Sequence, residues 1–236
     1  MYLANKSNNM NKRRRVENNE LFAKIIQNVL KKKIEGDDED SDDDNESEID
    51  DERIYKKDNH IYFRCEVSES TVSKLRILME RYRSEVERIK RNKYVEEVKT
   101  KSVYIHLTTY GGCLLSGLNM YDYIKDYNRD IEVIIIVDGN AFSSGALMTM
   151  AAGKRYITPN SFILIHQLST YNGRQKYEEL LDDKKNCDEL MNKTRKIFLE
   201  RCNFTKKELE QLLKRDLYLT AEECIKKGVV DEIRVR

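Results

Sequence analysis

The chain has 236 residues, of which 39% are hydrophobic and 36% charged, and its formal net charge at pH 7 is +1. This length allows one folded domain of about 150–200 residues with additional segments. The small net charge gives no overall attraction to nucleic acid or to an anionic membrane. No apolar run approaches the ~20 residues that a membrane span requires. We therefore expect neither a nucleic-acid partner nor a membrane.

The cysteines indicate the compartment. There are five, they are scattered, and no two form a CxxC pair. This arrangement predicts neither a metal site nor a disulfide framework. Reduced thiols are typical of the cytosol, and the N-terminus lacks the pattern of a signal peptide. We expect a cytoplasmic protein that binds no metal.

Residues 1–57 are predicted to form a charged tail, followed by a folded domain at 58–236. The basic cluster 12–15 allows nuclear import or nucleic-acid binding, but solvated charge is the commoner role. Apolar residues recur at helical spacing over 21–30, which predicts a short amphipathic helix. The run 36–52 is almost entirely acidic residues, serine and asparagine. It is predicted to be disordered, because it repels itself and has little apolar area to bury.

Strand and helix patterns alternate through the rest of the chain, which predicts an α/β fold with a mostly parallel sheet. In chain order the pattern predicts strand 61–67, helix 70–90, strand 103–107, helix 114–127, strand 133–137, helix 146–152, strand 161–166, helix 174–202, two short helices and strand 229–233. Capping boxes open the two short helices, Thr205 with Glu208 and Thr220 with Glu223. Gly228 is placed to end the second. The uninterrupted β-branched strand 133–137 is predicted to be covered on both faces.

Two glycine-containing turns each follow a predicted strand and open a helix. They are 109–112 (TYGG) and 139–145 (GNAFSSG). Ligand sites in parallel sheets form beyond the carboxyl ends of the strands. Two such turns side by side can aim backbone N–H groups at one oxyanion, with Ser143 or Ser144 beside it. Turns of this kind are common, so the pattern is also compatible with a structural role.

A histidine and an aspartate complete a possible catalytic set. His166 ends the strand 161–166, and imidazole is the side chain that supplies a base near neutral pH for a serine nucleophile. Asp216 follows a helix, where an acid can orient an imidazole. Each residue has an alternative role, because histidines at such positions are more often structural and acids at helix ends are more often surface charges. The residues alone leave these alternatives open.

Four segments, in this order, resemble the proteolytic subunit of the Clp protease family, serine peptidases of the ClpP/crotonase fold. They are 104–112 (YIHLTTYGG), 139–146 (GNAFSSGA), 159–167 (PNSFILIHQ) and 215–223 (RDLYLTAEE) with 228–231 (GVVD). The resemblance extends from residue 59 to residue 233. It implies repeated β-β-α units, a mostly parallel sheet and a long handle helix.

The resemblance also assigns roles to single residues. It implies that Ser143 is the nucleophile, that His166 is the general base and acid, and that Asp216 orients His166. It implies an oxyanion hole made by the N–H groups of Gly112 and Ser144. Only the resemblance selects Ser143 over the adjacent serine.

Further expectations concern substrate and partners. The resemblance implies substrate binding at Gly111 and Leu168, and hydrolysis of unfolded proteins inside a chamber of two stacked heptameric rings. A Clp-type AAA+ unfoldase would feed this chamber with ATP, which that partner binds. The present chain lacks a P-loop and is expected to bind no cofactor.

The sequence departs from the family pattern at several positions. Tyr110 replaces a proline before the glycine pair, Ser144 replaces a methionine, and Leu168 replaces a proline after the histidine segment. His106 and Asp126 stand where the groove for the unfoldase usually has aromatic residues. The changed groove and the additional tail of residues 1–57 favour one alternative, a non-catalytic ring subunit that scaffolds or gates. Another alternative is an acyl-CoA enzyme of the related crotonase fold.

Overall fold

The structure is a computed structural model that describes residues 53–91, 102–171 and 173–234. Its strands are β1 (Ile54–Lys57), β2 (His60–Phe63), β3 (Ser102–Thr109), β4 (Glu132–Phe142), β5 (Lys154–Ile157), β6 (Phe162–Leu164), β7 (Tyr218–Leu219) and β8 (Glu232–Ile233). Its helices are α1 (Glu69–Arg91), α2 (Leu114–Tyr127), α3 (Ser144–Thr149), α4 (Tyr177–Arg201), α5 (Lys206–Leu213) and α6 (Ala221–Lys226).

The strands form one mostly parallel sheet, in the order β1-β2-β3-β4-β5-β8. The neighbours from β2 to β8 are parallel, and only the β1–β2 hairpin runs antiparallel within this order. Strand β6 pairs with the last part of β4, and β7 pairs antiparallel with β6. Helices α1, α2 and α3 connect successive parallel strands. The predicted α/β class is confirmed.

Strand β4 is the centre of the sheet, and its composition explains this position. Val133, Ile135 and Val137 are fully buried in the core, while Ile134 on the other face is 3% exposed. A strand covered on both faces favours β-branched residues. Beyond this buried part, β4 continues to Phe142 and pairs with β6, which brings the serine turn beside the histidine strand.

Short-range sequence signals correctly predicted the limits of one helix and the starts of two others. Helix α2 has the predicted limits, and the two capping boxes open α5 and α6 as predicted. Gly228 follows α6 with a φ of +65°, a left-handed conformation that favours glycine. None of the helices in the described part of the chain combines the length and the apolar composition that crossing a bilayer requires.

Some elements differ from the prediction. Strand β1 lies in the segment assigned to the tail, so the sheet begins at Ile54, before the predicted start of the folded domain. The turn that joins β1 to β2 contains Asp58 with a φ of 54°, a left-handed conformation that aspartate tolerates better than most residues. Strands β5 and β7 were not predicted. The predicted tail elements at 12–15, 21–30 and 36–52 lie outside the described residues.

Candidate active site

The serine turn is a sharp strand-to-helix corner. Strand β4 ends at Phe142, α3 begins at Ser144, and Ser143 between them has a φ of 55° and a ψ of −119°. Its backbone N–H donates to the carbonyl oxygen of Leu164 over 2.9 Å. A positive φ at a residue other than glycine costs roughly 1–3 kcal/mol and is typical of serines held at a nucleophile elbow. The corner leaves Ser143 half-buried.

The glycine turn packs directly against the serine turn. Gly111 has a φ of +96°, and a Cβ added there would lie 2.7 Å from Ser143 Cβ. Gly112 has a φ of +142°, and an added Cβ would lie 2.3 Å from the carbonyl oxygen of Val67. Val67 clamps this turn, since its N–H donates to Gly111 O and its carbonyl accepts from Cys113 N, both over 2.7 Å. Only glycine allows so close an approach of these backbones.

Two backbone N–H groups at these turns are unpaired. Neither Gly112 N nor Ser144 N donates a hydrogen bond to any residue of the described part of the chain. Both residues line the same cavity. An oxyanion hole requires such a pair of free donors fixed by rigid backbone.

The pairing of β6 with β7 brings His166 and Asp216 together. Leu164 lies opposite Tyr218 in this antiparallel pair. Extending the register by two residues places His166 opposite Asp216. The two side chains form a hydrogen bond between His166 Nδ1 and Asp216 Oδ1 of 3.0 Å. The carboxylate of Asp216 is 77% exposed, so water also solvates it.

One cavity of about 180 Å³ gathers most of the predicted site. Its lining includes Gly112, Ser143, Ser144, His166 and Leu168, residues from three distant parts of the sequence. Within the described residues no hydrogen bond joins Ser143 Oγ to His166. Such bonds often become short only when substrate binds, so the shared cavity is the informative geometry.

One predicted substrate-binding residue lies elsewhere. Gly111 is not among the residues that line the cavity. Its N–H donates to Thr109 Oγ1 over 3.0 Å and its carbonyl accepts from Val67 N. Its visible role is to let the two turns touch. Leu168 does line the cavity, and its N–H faces Met191 Sδ at 3.3 Å.

Comparison with known proteins gives the family. The sequence model of the family described as Clp protease matches residues 85–236. The chain belongs to the Clp protease family. It is also similar to the ATP-dependent Clp protease proteolytic subunit of Streptococcus suis (strain 98HAH33). The two are 28% identical over 137 residues, which cover 57% of this chain and 69% of that protein.

Within this Clp protease fold, helix α4 supplies a cavity wall that sequence reasoning missed. Met191, Thr194 and Phe198 line the cavity, and Phe198 is only 2% exposed. No local sequence signal linked these residues to the catalytic segments. The first turns of α4 differ, because their large apolar side chains are exposed. These are Tyr177 at 71%, Leu180 at 55% and Leu181 at 42%.

Cys113 is a second cavity residue that the sequence did not indicate. It is exposed, precedes α2 and lies next to the glycine pair. A hydrogen bond from the side chain of Ser116 lowers the pKa of its thiol, and the Ser116 and Leu115 backbone N–H groups act in the same direction. A cysteine at this position gives the cavity a thiol of raised reactivity.

Proposed function

We propose that this chain is a serine endopeptidase that acts through Ser143, His166 and Asp216. The observation that carries the proposal is the shared cavity of Ser143 and His166. Gly112 and Ser144 also line it, and their backbone N–H groups have no hydrogen-bond partner among the described residues. Acyl transfer needs a nucleophile, a base and donors for the developing oxyanion within one such space. Membership of the Clp protease family supports the same chemistry.

The hydrogen bond to Asp216 fixes the direction of proton transfer. Because His166 Nδ1 donates to Asp216, its Nε2 is the nitrogen that is free to take the proton of Ser143 Oγ. Ser143 Oγ then bonds to the peptide carbonyl carbon, and the carbonyl oxygen becomes an oxyanion. His166 Nε2 returns the proton to the leaving amine. Water afterwards releases the acyl group by the same steps.

The N–H groups of Gly112 and Ser144 are the proposed oxyanion donors. Each comes from one of the two turns that touch at Gly111, so their separation is set by backbone contacts. Removing one such donor typically costs ~3–4 kcal/mol of barrier. Rigid placement matters as much as the donors themselves, because a ~1 Å error costs about 100-fold in rate.

The environments of the adjacent serines favour Ser143 as the nucleophile. Ser144 is 1% exposed, and its hydroxyl is buried without a hydrogen-bond partner. Its side chain packs against α2, since a Cβ added at Gly117 would lie 2.8 Å from Ser144 Cβ. A buried hydroxyl cannot reach a peptide carbonyl, whereas Ser143 is half-buried.

We further propose that the enzyme acts on unfolded polypeptides inside an oligomeric ring chamber in the cytoplasm. The exposed apolar residues of the first turns of α4 support an interface with another copy, because Tyr177, Leu180 and Leu181 face solvent in a single chain. The named relative from Streptococcus suis is an ATP-dependent subunit. By analogy we propose two stacked heptameric rings fed by an AAA+ unfoldase that uses ATP.

Labelling with a fluorophosphonate tests the catalytic part of this proposal. We expect the probe to modify the full chain on Ser143, and we expect no modification of Ser143→Ala. Ser144→Ala is the matched control, because it removes a neighbouring hydroxyl and keeps the backbone N–H. A short fluorogenic peptide should be cleaved by the same proteins that are labelled.

The outcomes separate the candidate functions. An assembled particle that is neither labelled nor able to cleave peptides would favour a non-catalytic scaffolding or gating subunit. Turnover of acyl-CoA that survives Ser143→Ala would favour an enzyme of the crotonase type. Labelling on Ser143 together with peptide cleavage supports the serine endopeptidase.

A further inference from the structure

A second group of titratable side chains lies on the sheet, away from the candidate active site. His60 on β2 and His106 on β3 face each other, with Nδ1 of His60 2.9 Å from Nε2 of His106. His106 Nδ1 lies 3.2 Å from Asp138 Oδ2 on β4. Asp138 Oδ1 accepts a hydrogen bond from Thr108 Oγ1 over 2.9 Å. These four side chains, the histidine relay, join three adjacent strands.

The relay is largely shielded from water. The side chains of His106 and Asp138 are 10% and 2% exposed. His60 alternates along β2 with core residues, so the relay lies on the face of the sheet opposite the core. A buried carboxylate strongly favours hydrogen-bond donors around it. Its negative charge therefore fixes how the protons of the relay are arranged.

The geometry assigns the protons. Asp138 accepts hydrogen bonds when ionised, so His106 must carry a proton on Nδ1. A neutral His106 accepts at Nε2 from His60 Nδ1–H, whereas a charged His106 donates its Nε2–H to Nδ1 of a neutral His60. The contact between the two rings thus contains one proton. With both rings fully protonated, two N–H groups would face each other across 2.9 Å.

The surroundings of the relay also disfavour full protonation of both rings. Burial lowers the pKa of His60, and a positive charge on His106 lowers it further, while Asp58 acts in the opposite direction. Aromatic rings confine both imidazoles, since Tyr104 stacks on His60 at 4.7 Å and Tyr62 stacks on His106 at 4.5 Å. The other charged groups that the structure describes on this face are, besides Asp58, Lys57 beside His60, Arg64 over the Tyr62 ring, and two ion pairs. These are Lys154 with Glu132 near Tyr104, and Arg234 with Glu232 at the Tyr156 ring.

A shared proton fits the relay better than a metal ion does. The described residues contain no group of three or more histidine, cysteine or carboxylate side chains arranged to hold a metal. We propose that His60, His106 and Asp138 form a proton-sensitive lock. At neutral pH the lock ties β2 to β3 and β4, and it breaks when both imidazoles are fully protonated. This inference concerns the fold and does not depend on the proposed peptidase function.

The direction of the pH effect follows from the lowered pKa of His60. The folded state resists protonation of His60, and the unfolded chain accepts it near pH 6.5. The stability that the lock contributes is therefore present above about pH 6.5. This contribution is lost as the pH falls from about 6.5 toward the lowered pKa of His60 in the folded state. Acid should first loosen the β1–β2 hairpin, which the relay ties to the centre of the sheet.

Imidazole NMR of the full chain tests the lock directly. The sequence has three histidines, two in the relay and His166, so every signal can be assigned by one substitution each. We expect His60 to titrate below about pH 6.5, and we expect the ring signals of His106 to shift when its contact with His60 breaks. Hydrogen exchange of the β1–β2 backbone should accelerate over the same pH range.

Two variants separate the lock from general acid sensitivity. His60→Gln keeps a side-chain N–H donor toward His106 but cannot titrate, so its denaturant midpoint should fall less on acidification than that of the wild type. His166→Gln removes the histidine outside the relay and should keep the wild-type pH dependence of stability. Titration of His60 at or above about pH 6.5 with no accompanying change in the His106 signals would overturn the proposal. A denaturant midpoint that depends on pH equally in His60→Gln and in the wild type would also overturn it. If His60→Gln does not fold, the NMR titration of the wild type decides.

Discussion

Substitution of Gly112 by alanine examines the contact that positions the candidate oxyanion hole. The added Cβ would lie 2.3 Å from Val67 O, and ordinary contacts begin at 3.4 Å, so the backbones must separate by about 1.1 Å. The atom in the way is a main-chain oxygen that also accepts from Cys113 N, so it cannot simply rotate aside. Alanine is also strained at a φ of +142°, at a cost of roughly 1–3 kcal/mol.

We expect two measurable effects of Gly112→Ala. A displacement of ~1 Å at the N–H group should slow fluorophosphonate labelling of Ser143 by about 100-fold. The strain should lower the free energy of unfolding in a denaturant titration. Gly173→Ala is the matched control, because no atom lies within 4 Å of a Cβ added there, and it should match the wild type in both assays. Wild-type labelling and stability in Gly112→Ala would refute the assigned role of this turn.

Three further predictions address other parts of the account. Asp216→Asn should lower kcat for a peptide by more than about tenfold. The loss should be smaller than the ~10⁴-fold loss known for a buried triad acid, because Asp216 is 77% exposed. An unchanged kcat would contradict the role of Asp216. Iodoacetamide should modify Cys113 first and block labelling of Ser143, while Cys202 and Cys224 stay unmodified because burial raises their pKa to about 11 and about 12. Mass spectrometry checks this order. Thr205→Ala should cost about 1 kcal/mol of stability through loss of the N-cap of α5 and leave the labelling rate unchanged.

Elements with strong local signals were predictable from the sequence. Helix α2 and the caps of α5 and α6 rest on short-range spacing, and β4 rests on an unbroken β-branched run. Strand β5 lacks such a local signal, because Arg155 at its second position is charged and yet only 8% exposed. Its guanidinium is paired with Asp231 at 2.6 Å and bonds the carbonyl of Gly228 over 3.0 Å. Those partners come from distant sequence, so no local pattern reveals them.

The candidate site likewise has features that the sequence predicted and features that only the structure reveals. The family resemblance assigned the serine, the histidine and the aspartate, and the structure brings Ser143 and His166 to one cavity. The cavity wall from Thr194 and Phe198 depends on how α4 packs across the sheet, which helical periodicity does not specify. The resemblance selected Ser143 over Ser144, and the physical ground for that choice, the burial of the Ser144 side chain, cannot be read from the sequence.

Trapping of an acyl-enzyme tests the central claim most directly. The full chain would be mixed with an activated ester at low pH, quenched, and analysed by intact-mass and peptide mass spectrometry. The account predicts a mass increase of one acyl group located on Ser143, which decays when the pH is raised and is retained longer in Asp216→Asn. Absence of acylation in a protein that otherwise cleaves peptides, or an acyl group on any other residue, would contradict it.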